Sequence, residues 1–245
     1  MCAGEWTIIR GTVRCPPIGR HPHGDSRRFE FVRAHQQEIF LIIKKMTSIH
    51  NFQNTKIAVG DICQKGKTRI ANITDDKGKP IKIVLSKDCV LRTPWNVSSY
   101  DGSTRCSLDI MINGDLRNLV DKIDTDVFTW ISKDSGRYFK TPPKDLASWY
   151  KSLRKEASKE GYSDTLRTKC TISDDKASFK CWDEDRRQMS VSEIRKINWP
   201  QTTFACEVAL KGVYFQSNSF GVMLEVTNVM IRPEDESCPF EETED

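Results

Sequence analysis

The sequence predicts a mainly β fold with inserted α, an OB-like, partly open antiparallel barrel interrupted by a mid-chain helical pair. Three observations point there. Two long alternating runs, 203–215 and 220–231, face each other across Gln216-Ser217-Asn218-Ser219 and read as a β-hairpin. Two-residue periodicity before residue 113 and after residue 164 brackets a stretch of helical period. The β-α-β alternation that a doubly wound parallel sheet requires is missing. A β-sandwich is the alternative architecture.

The elements follow in order. Thr68–Ile73 and Ile81–Leu85 are expected strands, joined by the turn residues Asp75-Asp76-Lys77-Gly78-Lys79-Pro80. Ile81, Ile83 and Leu85 alternate with Lys82, so one face is apolar. Cys89–Arg92 extends the sheet until Pro94 ends it. In Arg105–Ile112, Cys106, Leu108, Ile110 and Ile112 alternate with Arg105, Ser107 and Asp109. The period then changes. Leu116, Leu119, Val120, Ile123, Val127, Trp130 and Ile131 recur at helical spacing and are assigned to the core. A second helix is expected after Pro142-Pro143, with Leu146, Trp149, Tyr150, Leu153 and Ala157 inward and Lys144, Lys151, Arg154, Lys155 and Lys159 outward. Gly161 is its expected terminator. Strands resume at Thr165–Ile172 and Ser178–Trp182 before the closing hairpin.

Charge divides the chain into three. Residues 47–232 hold 30 Lys/Arg against 23 Asp/Glu, whereas residues 233–245 hold 7 acidic residues and no basic one. That tail reads as a disordered acidic end, with Phe240 as an anchor for a partner. Residues 1–45 are Arg-rich and contain three of the four His, unlike the Lys-rich body. They read as an arm or extension, with Met46 as an alternative start. The expected domain plan is therefore an arm at 1–45, a barrel at 46–232 with its helical insertion at about 115–160, and an acidic tail at 233–245.

Several function classes lose support. No run of eighteen apolar residues occurs, and the N-terminus lacks the order of a signal peptide. Nine Cys without an export signal imply free thiols in a reducing, intracellular compartment. No C-x-x-C, phosphate-cradling glycine loop or nucleophile elbow is present, so no metal, cofactor or small-molecule substrate is expected. Beyond Met46 the only His is His50, which leaves little for acid–base catalysis. Asp183-Glu184-Asp185 is the densest acidic cluster of the body, and a metal-dependent nucleic-acid enzyme built on it is a minor alternative to a locally compensated loop.

What remains is aromatic–cation mixing. Single strands are held by aromatic faces that stack on bases and by cations that track phosphates. Arg92 with Trp95, Arg137-Tyr138-Phe139-Lys140, Lys180 with Trp182, and Lys211 with Tyr214 are the candidate contacts. Trp95, Tyr138, Phe139, Trp182 and Tyr214 are the candidate platforms. The Arg137–Lys140 segment is the preferred one, because two adjacent aromatics between two cations in a polar loop are hard to bury together. A β-rich interaction module docking through the acidic tail is the alternative.

The body from Met46 to Pro233 also resembles a family. Pro80–Leu85, Val90–Trp95, the helical pair with Trp149-Tyr150, Thr165–Lys169 and the closing hairpin resemble the OB-fold single-stranded-DNA-binding proteins of nucleocytoplasmic large DNA viruses, algal-virus and mimivirus-like members included. The resemblance implies a non-enzymatic barrel that binds single-stranded DNA with little sequence preference, in viral-type replication, recombination or transcription. RNA remains open as a ligand, and replication proteins are the expected partners of the tail. The implied location is the nucleus or a cytoplasmic viral replication site.

Overall fold

Alternating apolar and polar residues build twelve strands among the described residues, which join in one mixed sheet not closed into a barrel. The computed structural model describes residues 47–66, 68–86, 90–99 and 104–233. The arm at 1–45, and the acidic tail with Phe240 from residue 234 on, lie outside the described residues.

The first elements are β1 (Thr47–Ser48), the one-turn helix α1 (Ile49–Phe52), β2 (Ile57–Lys65), β3 (Thr68–Asp75), β4 (Lys82–Val84), β5 (Ser98–Ser99) and β6 (Arg105–Met111). The long helix α2 (Gly114–Lys133) and one turn of helix, α3 (Ser135–Tyr138), follow. Then come β7 (Tyr150–Lys151), β8 (Arg154–Lys155), β9 (Thr165–Thr171), β10 (Lys180–Trp182), the short helix α4 (Val191–Ile194), β11 (Thr202–Phe215) and β12 (Phe220–Pro233).

The hairpin expected around residues 216–219 is the spine of the sheet. β11 and β12 pair antiparallel from Thr202↔Pro233 to Phe215↔Phe220, with an extra residue, Thr227, between the pairs Glu207↔Asn228 and Val208↔Val226. The free edge of β11 is shared in succession by β4 and β3. The free edge of β12 is shared by β7, β9 and β10, all parallel to it. β6 then pairs antiparallel with β9 along its whole length. The mainly β class with an inserted helix is thus observed, with parallel seams in a sheet that was expected to be largely antiparallel.

Two glycines permit close approaches along this spine. Gly212 has φ +151°, and a Cβ there would collide with the carbonyl of Ala71 on β3. A Cβ on Gly221 would lie 2.7 Å from the Lys151 carbonyl and 3.0 Å from the Tyr214 hydroxyl.

α2 forms where the periodicity places it. The Asn113 side chain accepts the Leu116 N–H at 3.0 Å and caps its start, and Asp115 complements the dipole there. Leu116, Leu119, Val120, Ile123, Val127 and Ile131 form its buried stripe. Each such side chain contributes about 1.5–3 kcal/mol on burial. Trp130, assigned to this stripe, instead sits at its edge, 37% exposed, and donates its indole N–H to the Tyr138 hydroxyl.

The second expected helix does not form. Only a 3-10 turn, Ala147–Trp149, precedes the extended pieces β7 and β8. The reason is tertiary. Asp124 of α2 accepts hydrogen bonds from the Tyr150 hydroxyl at 2.6 Å, the Ser152 hydroxyl at 2.5 Å and the Leu153 N–H at 3.1 Å. β12 and β9 offer free edges to Tyr150-Lys151 and Arg154-Lys155. Together these outweigh a weak helix preference, and Leu153 reaches the core from the bend between β7 and β8.

Candidate nucleic-acid interface

Strand alternation turns one side of this sheet into a polar, basic surface. On β9, Leu166, Thr168 and Cys170 are buried while Arg167 and Lys169 are exposed. The register sets Arg105 opposite Thr171, Ser107 opposite Lys169 and Asp109 opposite Arg167. Farther across the same face stand Glu225 and Met223 of β12, Tyr214 of β11 and Ile70 of β3. The segment 150–155, pinned by Asp124, borders this face, because it bridges the edges of β12 and β9 where those strands diverge. The result is a groove of about 1290 Å³.

Its electrostatics are one-sided. Among the described residues, Arg105, Lys151, Arg154, Lys155, Arg167 and Lys169 line it, against a single carboxylate, Glu225. Glu225 is itself held by Lys211 at 3.1 Å. Arg154 lies 3.6 Å from Glu156 and 3.9 Å from Asp164, and Arg167 lies 3.7 Å from Asp109. Lys151, Lys155 and Lys169 have no carboxylate partner among the described residues. Burial, then the neighbouring Arg105 and Arg167 charges, push the Lys169 ammonium below its ordinary pKa.

Two tyrosines lie among these cations. Tyr214 packs beside Gly221, and the Lys169 ammonium sits over its ring at 5.6 Å. Burial raises the Tyr214 phenol pKa, so it stays protonated. Tyr150 is fixed by its bond to Asp124 and meets Phe220 at 5.2 Å between ring centroids. The Asp124 carboxyl is raised above its usual value, mainly by burial.

The sequence-predicted residues separate. Tyr214 lies in the groove, and Lys211 reaches it through Glu225. Lys180 and Trp182 pair with Asn228 and Met230 farther along β12, with the Lys180 ammonium 6.0 Å from the Trp182 ring. Trp95 is 55% exposed on the segment that flanks the other edge of β6. Exposed Arg92 neighbours that edge, its carbonyl accepting the Met111 N–H at 2.9 Å.

The preferred segment is overturned. Tyr138 is 1% and Phe139 5% exposed, so neither ring has a free face for a base. The backbone turns into α3, Tyr138 stacks on Phe215, and Phe139 meets Trp149, Phe215 and Phe220 edge-on. The Tyr138 hydroxyl donates to the Val59 carbonyl, which satisfies its polar end. Arg137 is held by Asp61 at 2.5 Å. Lys140 stays exposed without such a partner, at the rim of a second depression. In the acidic cluster, Asp183 accepts the Arg187 N–H and guanidinium at 2.8 and 2.9 Å, the compensated loop that was expected. No group of three or more metal-ligating side chains is brought together among the described residues.

Six cations of the groove were not singled out as contacts. Lys151, Arg154 and Lys155 were assigned to the outer face of a helix that does not form. Arg105, Arg167 and Lys169 carry a readable signal, a basic face on alternating strands, but only the β6–β9 pairing concentrates it.

No family model and no curated protein matches the chain. Among solved structures, the chain is similar to the single-stranded DNA-binding protein of bacteriophage Enc34. The match to that protein in complex with ssDNA has 13% identity and a TM-score of 0.39, covering 72% of this chain and 96% of that one. A C-terminal truncation of the same phage protein matches at 12% identity and a TM-score of 0.40, covering 73% and 96%.

Proposed function

We propose that the protein binds single-stranded DNA along the groove between β6, β9, β12 and the segment 150–155, without catalysis and with little sequence preference. The observation that carries this reading is the concentration of six cations and two tyrosines on one concave face whose single carboxylate is already paired. Side-chain cations attract any phosphate backbone, and contacts to phosphate read no base. Recessed tyrosines favour unpaired bases, since a duplex keeps its base faces stacked inside. A phosphate that draws the Lys169 ammonium away from Tyr214 frees that ring for a base. The same phosphate relieves the crowding of Lys169, Arg105 and Arg167.

The narrower kinship with large-DNA-virus proteins, a role in replication, recombination or transcription, and replication proteins as partners belong to the same proposal. They rest on the resemblance of residues 80–85, 90–95 and 165–169. A reducing location belongs to the same proposal and rests on the cysteine content of the sequence.

The test is fluorescence anisotropy with a labelled oligothymidylate of about 30 nucleotides, longer than a single-domain footprint, and with the matching duplex, across a salt series. The expected result is preference for the single strand, with log affinity falling linearly in log salt by about 0.7 per phosphate contact. Equal affinity for duplex, or no salt dependence, would contradict the proposal.

A further inference from the structure

The groove does not end at the hairpin tip. A second depression of about 790 Å³ lies beyond it, and Thr68 and Gln216 line both. Its chemistry differs from that of the groove. Trp149 forms an aromatic side, packed edge-on to Phe139 at 5.8 Å and itself only half-buried. Arg69 spans the interior, its guanidinium 6.0 Å from the Phe215 ring and donating to the Tyr138 carbonyl at 2.8 Å. The exposed rim carries Lys140 and the amides of Gln216 and Asn218. Gln216 accepts the Ser219 hydroxyl with its carbonyl oxygen, which leaves its NH₂ to donate. Among the described residues no Asp or Glu lines the depression.

We infer that this depression is a second subsite of the same track and takes one nucleobase of a strand whose phosphates follow the groove. The inference rests on the proposed groove binding and adds a place where a base is held by its face and edge. The base packs against Trp149, the Gln216 and Asn218 amides meet its polar edge, and Lys140 meets the adjoining phosphate. An aromatic side, neutral amides and flanking cations together suit a neutral, planar, hydrogen-bonding ring attached to an anion. Continuity through Thr68 and Gln216 makes the occupant the same strand. A strand too short to span both depressions occupies the groove alone.

Binding of short and long oligothymidylates, about 5 and about 20 nucleotides, separates the two levels. The comparison uses the wild-type chain, a Lys140→Ala/Asn218→Ala variant altered only at exposed positions, and Trp149→Leu. The double variant is expected to bind the short strand as wild type does. It is expected to lose about tenfold on the long one, with the salt slope reduced by about 0.7 for that strand only. Trp149→Leu, checked for folding by its melting curve, is expected to follow the same pattern. A long strand bearing 5-iododeoxyuridine is expected to cross-link to the peptide containing Trp149. Equal losses on both strands, or no loss on the long one together with no cross-link near Trp149, would overturn the second subsite while leaving the groove in place. No binding by wild type would overturn the groove and, with it, the subsite.

Discussion

Arg137-Tyr138-Phe139-Lys140 and the surface formed by Arg167, Lys169 and Tyr214 contain the same ingredients, two cations and one or two aromatic rings. Their fates are opposite. In the first, both rings turn inward against Phe215 and Phe220, and Arg137 is held by Asp61. In the second, the strand pleat holds Arg167 and Lys169 outward, and Tyr214 lies among them from a strand forty-five positions on. Composition brings the groups together, but backbone direction decides whether they serve the core or the surface. A local cluster is free to collapse on itself, whereas a cluster assembled across paired strands is held open by hydrogen bonds.

The comparison can be broken at four points. Tyr138→Ala should cost stability, about 3–5 kcal/mol as for large buried aromatics, because it empties a fully buried site and removes the hydroxyl that donates to the Val59 carbonyl. Chemical denaturation reads this, and the protein still folded should keep its affinity for single strands. Arg167→Ala with Lys169→Ala should do the reverse. Affinity at low salt should fall about tenfold to a hundredfold and the salt slope by about 1.4, with the unfolding midpoint nearly unchanged. If the Tyr138 variant loses binding while the Arg167/Lys169 variant keeps it, the comparison has been drawn the wrong way round.

Asp124→Asn probes the wall between the two regions. Asparagine keeps one acceptor for Ser152 and Leu153 and has no charge to bury, so a loss of only about 1 kcal/mol is expected. Because the folded state raises the Asp124 pKa above 3.8, its share of stability is full below that value and is lost as pH rises through the folded one. The variant should lack this trend. Glu193→Gln should have the smallest effect. In the capping box of α4, Glu193 accepts the Ser190 N–H and hydroxyl and meets Arg187, which holds its carboxyl at about 2 instead of 4.5. Its contribution is present above pH 4.5 and is lost as pH falls toward 2. The variant's melting temperature should therefore change less across that interval.

Much of the scaffold is legible because its signals are local. The period-2 runs of β6, β9, β11 and β12 and the 3.6-residue stripe of α2 each specify a buried face without reference to the rest of the chain. The second helix was misread because Leu146, Trp149, Tyr150 and Leu153 fit a helical stripe as well as they fit a turn followed by two short strands. Asp124, some thirty residues earlier, and the free edges of β12 and β9 decide between them. The interface was harder to read for the same reason. Tyr214 was found because Lys211 and Phe215 are its sequence neighbours. Lys151, Arg154, Arg167 and Arg105 come from four separate strands, and their convergence depends on the pairing of β6 and β8 with β9 and, for Lys151, on the parallel pairing of β7 and β9 to β12, which leaves no mark within any one segment.

That dependence on β12 also sets an order of assembly. β2 with β3, and β6 with β9, can pair as soon as both members exist. Every seam joining these pairs to one another runs through residues 202–233. As the chain leaves the ribosome, all earlier strands must therefore wait, with apolar faces uncovered, for the last described hairpin to emerge. A reading frame interrupted before that point yields separate ribbons with no seam to share, and Lys151 never joins the cations that the pairing of β6 with β9 brings together.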